Sequence, residues 1–168
     1  MILLMGIFMP YLSSAQTIIK IAGDVDAKMV QSQVARSLEY LGIHAPMYLY
    51  IVFSERMPTH LKGITYPVEA ADSVKLIRVR INVRLDARQR INILAHEMIH
   101  VKQFMEGDLQ ISHNQKAYWK GKIYHCQNPT SRKNPWELEA YRHDQYLAKE
   151  LKKISTRMPV LVASEVQD

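Results

Sequence analysis

The sequence predicts an α+β fold: one helix, a small mixed β-sheet and two longer helices. Three observations carry this reading. Met29, Val30, Val34, Leu38 and Leu41 recur at three and four residues across 27–41, one apolar face of a helix. Residues 75–84 alternate, with Ile77, Val79, Ile81 and Val83 on one face and Arg78, Arg80, Asn82 and Arg84 on the other, as a half-buried strand requires. Residues 87–106 and 135–154 each follow a helix start signal.

The elements follow in order. Residues 1–15 form an uncharged, apolar run interrupted by Pro10 and ending in Ser13-Ser14-Ala15. The run is too short to span a bilayer, and its length and small-residue end match a signal peptide. The expectation is cleavage after Ala15 and an exported protein, periplasmic or secreted, starting at Gln16. The residue directly after that point is Gln16 and not a cysteine, so no lipid anchor is expected. Asp26 caps the helix from Ala27 to Leu41, and Gly42 stops it. Tyr48 to Phe53 is a strand rich in aromatic and β-branched residues. Ile64 to Val68 is a shorter strand that Pro67 places at an edge. After the alternating strand, Asp86 and Gln89 form a capping box for a helix from Ala87 to Glu106, which Gly107 ends. Ala117 to Tyr124, around Gly121, predicts a β-hairpin. Asn134 and Pro135 then open the last helix as N-cap and N1. The domain is expected to cover 16–158, with 159–168 a tail.

Composition narrows the function classes. The 168 residues suit one domain, and 48% hydrophobic with 23% charged residues excludes disorder along the whole chain. A single cysteine, Cys126, excludes an intrachain disulfide and a cysteine-based zinc cage. The net charge of +6 permits an acidic partner, but the cations form no dense run. The tightest group, Lys149, Lys152, Lys153 and Arg157, sits at a helix end where it suits the dipole. No nucleic-acid motif accompanies the charge, so no nucleic-acid partner is expected. A monomer without a stable membrane span is favoured.

The chemistry lies in His96-Glu97-Met98-Ile99-His100. Two histidines four apart project from one helical face and can hold one zinc ion. Glu97 is offset by one residue, where its carboxylate can act as general base on a water activated by the metal. A catalytic zinc needs a third protein ligand. Glu106, Asp108 and His113 are minor candidates. The stronger source is Asn134-Pro135-Trp136-Glu137-Leu138-Glu139-Ala140, where Glu137 and Glu139 point to different sides of the helix. Ala140, on the Glu137 side, would let the two helices approach closely. Against Glu137 stands its place at N3 of the capping box opened by Asn134. From the residues alone both glutamates stay open.

This motif, followed by a helix carrying Glu-x-x-Ala, resembles the gluzincin zinc metallopeptidases, and most of all their small single-domain forms, the minigluzincins. The resemblance spans about 75–154 and implies a zincin-like fold with a motif helix and a glutamate helix. It implies Zn²⁺ as cofactor, His96, His100 and Glu137 as metal ligands with Glu139 as the alternative, and Glu97 as general base. Many members carry an Asp four residues after the ligand Glu; here that position is Tyr141. The resemblance also implies a His or Tyr that stabilises the oxyanion, for which Tyr141, His143, His113, Tyr124 and His125 are the candidates. It assigns the 75–84 strand as the edge that receives a peptide substrate, with Arg78, Arg80 and Arg84 near the groove. Those arginines could favour acidic substrates or simply keep an exposed strand from aggregating. Two rival functions are a zinc hydrolase acting on a non-peptide amide of the cell envelope, and a non-catalytic basic binding module.

Overall fold

The computed structural model describes residues 16–58, 60–68, 74–112, 116–125 and 128–157. The expected signal peptide, the tail and His113 lie outside the described residues. Helix α1, Ala27–Leu41, forms where its caps predict. Asp26 accepts a hydrogen bond from the Met29 N–H, and Gly42 closes the helix in the left-handed conformation. Helix α2, Ala87–Glu106, also matches the prediction. Both halves of its capping box are made: Asp86 Oδ1 accepts from Gln89 N–H at 2.7 Å, and Gln89 Oε1 accepts from Asp86 N–H at 3.2 Å. Helix α3, Pro135–Arg157, runs three residues past the expected end.

The main sheet has four strands in the order β1-β2-β4-β3. They are β1, Ile18–Ala22; β2, Met47–Ser54; β3, Gly63–Val68; and β4, Lys75–Asn82. Strands β1, β2 and β4 are parallel, and β3 returns antiparallel beside β4. The sheet is therefore mixed, as expected, but the expected edge is wrong. Strand β4 is paired on both sides, and β3 is the edge. A local alternation pattern reports which face of a strand is buried and says nothing about its neighbours. Pro67 marks the edge correctly. Asn82 N–H donates to the Lys62 carbonyl at 2.9 Å, and the register then turns the backbone groups of Gly63, Thr65 and Pro67 toward the open side. Pro67, lacking an N–H, loses no ladder bond there.

A second, antiparallel sheet joins β5, Leu109–Ser112; β6, Lys116–Trp119; and β7, Lys122–His125. The predicted hairpin is β6–β7, turning through Lys120 and Gly121, both at positive φ. Strands β1 and β5 are additions that the sequence reading lacked.

Met47, Leu49 and Ile51 of β2 and Ile77, Val79 and Ile81 of β4 are fully buried on the helix-facing side of the sheet. They join Val34 of α1, Met98 and Val101 of α2, and Leu147 and Leu151 of α3 in one hydrophobic cluster. Burying each such side chain contributes on the order of 1.5–3 kcal/mol. Helix α2 lies against β3 and β4, and α3 packs on α2 and α1. This core holds α2 and α3 rigidly side by side. Among the described residues, no helix is long and apolar enough to cross a membrane.

Candidate metal centre

His96 and His100 lie one turn apart on the buried face of α2, with ring centroids 4.9 Å apart in an edge-to-face arrangement. The capping box at Asp86 fixes where that helix begins, and the packing of α3 on α2 covers the face that carries the motif. Ala140 is completely buried where α3 comes against α2, and its small side chain permits the close approach. Glu137 thereby points inward. Its Oε2 lies 3.2 Å from His96 Nε2 and its Oε1 3.4 Å from His100 Nε2. These three buried residues offer ligand atoms within 4.8 Å of one another and could hold a metal ion.

The outer nitrogens of both rings are also placed. Asp144 Oδ2 accepts from His96 Nδ1 at 3.1 Å, and Gln103 Oε1 accepts from His100 Nδ1 at 2.7 Å. Gln103 is itself oriented: its Nε2 donates to the Trp136 carbonyl at 3.0 Å and to Glu139 Oε2 at 2.8 Å. With its donors so used, its oxygen must face His100. Each imidazole can thus keep its Nδ1 proton while Nε2, which faces Glu137, gives up its own proton to take a metal. Two imidazole nitrogens and a carboxylate make a donor set that fits zinc.

Glu139 is not drawn into the centre. It is tied to Gln103 and, at 2.7 Å, to Lys120, so it braces the residue that orients His100. The expected capping box on α3 is absent from its bonding. Asn134 Nδ2 instead donates to the Asn128 and Pro129 carbonyls, both at 2.9 Å, and fastens the preceding loop. Glu137 is left to the histidines.

Glu97 is 4% exposed, beside the two histidines. Thr65 Oγ1 on β3 donates to its Oε2 at 2.7 Å, aiming the carboxylate along the sheet edge. Gly63, two residues before, makes room: a Cβ there would stand 2.5 Å from Glu97 Oε1.

The ionisation of the centre follows from burial and pairing. Burial pushes the Glu97 carboxyl above its ordinary value, and the attraction of His100 and His96 does not undo this. Burial would lower both imidazoles, but the hydrogen bond to Glu137 and the charge of Glu97 raise them. Burial would raise Glu137, yet the hydrogen bonds from His100 and His96 bring it down to about 2. The cluster is a proton-holding site that a cation would displace.

The centre opens into a cleft of about 1120 Å³ bounded by β3, α2, β5 and the loop before α3. Tyr141 lines it, its ring 4.5 Å from that of His96. Arg78 lines it as well. Arg80 does not; it donates to the Arg56 carbonyl. His143 is exposed and lies outside the cleft lining, as do Tyr124 and His125. Tyr124 packs on Trp136 instead. Asp108 pairs with Lys120 at 3.5 Å, Glu106 with Lys102 at 3.8 Å and Arg84 with Glu55 at 3.7 Å, none of them at the centre.

The sequence reading missed Asp144, Gln103, Thr65, Gly63 and Arg132. Asp144 was within reach of it, since it lies seven residues after Glu137 and two helical turns return to the same face. Gln103, three after His100, was open to the same logic. Nothing local singles out Thr65 or Gly63, whose roles depend on β3 lying beside α2. Compared with known protein families, curated proteins and solved structures, the chain matches none.

Proposed function

We propose that this chain is a zinc metallopeptidase of the gluzincin type on a zincin-like fold. The observation that carries the reading is the convergence of His96, His100 and Glu137, with Glu97 held beside them by Thr65. A bound zinc ion would supply Lewis acidity, polarising the substrate carbonyl and acidifying water.

The chain's own residues do the rest. Glu97, made more basic by burial, would as the carboxylate take the proton from the attacking water and deliver it to the leaving amine. Thr65 keeps its carboxylate pointed into the cleft. Tyr141 lies tilted against His96 and lines the cleft, and its hydroxyl would donate to the oxyanion. Arg132 Nε donates to that hydroxyl at 3.2 Å, leaving the phenolic proton free to be given away. The open backbone of Gly63, Thr65 and Pro67 on β3 offers an extended peptide a strand to pair with.

Glu97→Gln tests the reading. It should retain zinc and lose about 10²–10⁴-fold in peptide hydrolysis. Undiminished turnover would remove Glu97 from the mechanism. In parallel, Glu137→Ala should lose zinc while Glu139→Ala keeps it. The reverse pattern would overturn the ligand assignment.

A further inference from the structure

We propose that the cleft selects acidic peptides, with Arg132 and Arg78 each reading a carboxylate near the scissile bond. This rests on the peptidase reading above and adds the substrate class.

The charges lining the cleft divide cleanly. Its carboxylates are Glu97, Glu137 and Asp144, and each is already held by Thr65 or by the histidines. Its cations are Lys62, Arg78 and Arg132, and among the described residues none of the three forms an ion pair. What the cleft offers an incoming chain is therefore positive.

The two arginines are placed for more than general attraction. The guanidinium carbon of Arg132 lies 4.7 Å from the centroid of the Tyr141 ring, which in turn lies 4.5 Å from His96. Nε is spent on the tyrosine hydroxyl, while Nη1 and Nη2 have no acceptor among the described residues. That planar pair of donors is the shape that binds a carboxylate at two points. Arg78 alternates with the buried, helix-facing Ile77 and Val79 and so lines the cleft from the other face of the sheet, in register with Tyr66 of the edge strand. Its guanidinium carbon lies 5.3 Å from the centroid of the Tyr50 ring, and its Nε is buried with no hydrogen-bond partner. Buried donors in folded proteins are nearly always satisfied. The Nε has no acceptor among the described residues, so a carboxylate that reached this guanidinium would supply the missing partner. One arginine stands on the sheet wall and the other on the loop before α3, so they would meet carboxylates at different positions of one extended peptide.

The test uses the zinc-loaded full chain and a peptide series in which Glu or Asp near the cleaved bond is exchanged for Gln or Asn. The expected kcat/KM ratio, acid over amide, is about tenfold or more, in line with a charge-assisted hydrogen bond. It should shrink as salt is added. Arg132→Gln and Arg78→Gln should each abolish the ratio at one peptide position, whatever they do to turnover common to all peptides. Arg80→Gln, outside the cleft, should keep it. Equal cleavage of acid and amide peptides would overturn the proposal and leave the peptidase reading standing. Binding of the same peptides to Glu97→Gln, followed by fluorescence anisotropy, gives a readout that needs no turnover. Tighter binding of the acidic members, lost in Glu97→Gln carrying both arginine substitutions, would support the arginine assignment even if hydrolysis failed. Equal binding of both series would refute it.

Discussion

Gly63 is where the edge strand comes nearest to the motif helix, and it shows how little freedom the centre has. A methyl group there would meet Glu97 Oε1 and Ile93 Cγ2, each at 2.5 Å. Gly63→Ala should cost about 1–3 kcal/mol of stability through crowding, and turnover should fall by about 10² through displacement of the carboxylate. A thermal melt beside an activity assay would separate the two effects, and unchanged kinetics would show that Glu97 tolerates the shift. Gln103 acts at a greater remove. Gln103→Leu removes the acceptor of His100 Nδ1, and zinc affinity should drop about 10–100-fold in a chelator competition. Residues at this scale were legible when the rule that places them is local. His96, Glu97 and His100 share one turn, and Glu137 could be weighed against Glu139 from helix geometry. The partner of His96, which the sequence left unidentified, is Asp144, about one turn beyond Tyr141. Tyr141 turned out to cover the ring rather than hold its nitrogen.

At the scale of elements, the caps explain why two helices could be drawn correctly in advance. Asp26 with Gly42, and Asp86 with Gln89 and Gly107, write both ends of α1 and α2 into short stretches of chain. Asp86→Ala should destabilise the protein by about 1 kcal/mol in a denaturant titration. It should leave zinc affinity unchanged, because the cap lies more than two turns from His96. A matching loss of zinc would mean that the helix start reaches the centre. Strands were less legible because pairing is decided at long range. The alternation in β4 correctly announced its buried face, yet its place inside the sheet depends on β3 folding back beside it. Strand β1 is five residues long without strict alternation, and its existence depends on pairing with β2. The open edge beside the cleft is consequently β3, and the arginines expected near the groove are sorted by it: Arg78 lines the cleft and Arg80 does not.

At the scale of the molecule, protons and a metal ion would compete for one cluster, and the competition has a sign. The folded-state values of His96 and His100 are raised. In the metal-free protein their contribution is complete below about 6.5, the ordinary imidazole value, and is lost as pH rises through the raised values. Glu97, also raised, works in the same direction. Glu137, lowered to about 2, contributes above its unfolded value and loses that contribution only as pH falls toward about 2. The metal-free fold therefore weakens on the alkaline side, where zinc binds best because the imidazoles are free of protons. The rise in Tm on adding zinc should grow as pH climbs from about 6.5, the ordinary imidazole value, through the raised values of His96 and His100. A constant rise across that range would show that the histidines release no protons on binding.

The separation of the ligands along the chain has a mechanical consequence. His96 and Glu137 are 41 residues apart, and the second sheet occupies part of the stretch between them. An ion joining them would be a reversible cross-link between two helices, closing a loop as a disulfide does. A covalent link over such a loop restricts the unfolded chain by about 4 kcal/mol. An ion serving the proposed reaction would then also act as a removable clasp. Stripping it would stop turnover and loosen the hold of the last helix in one stroke.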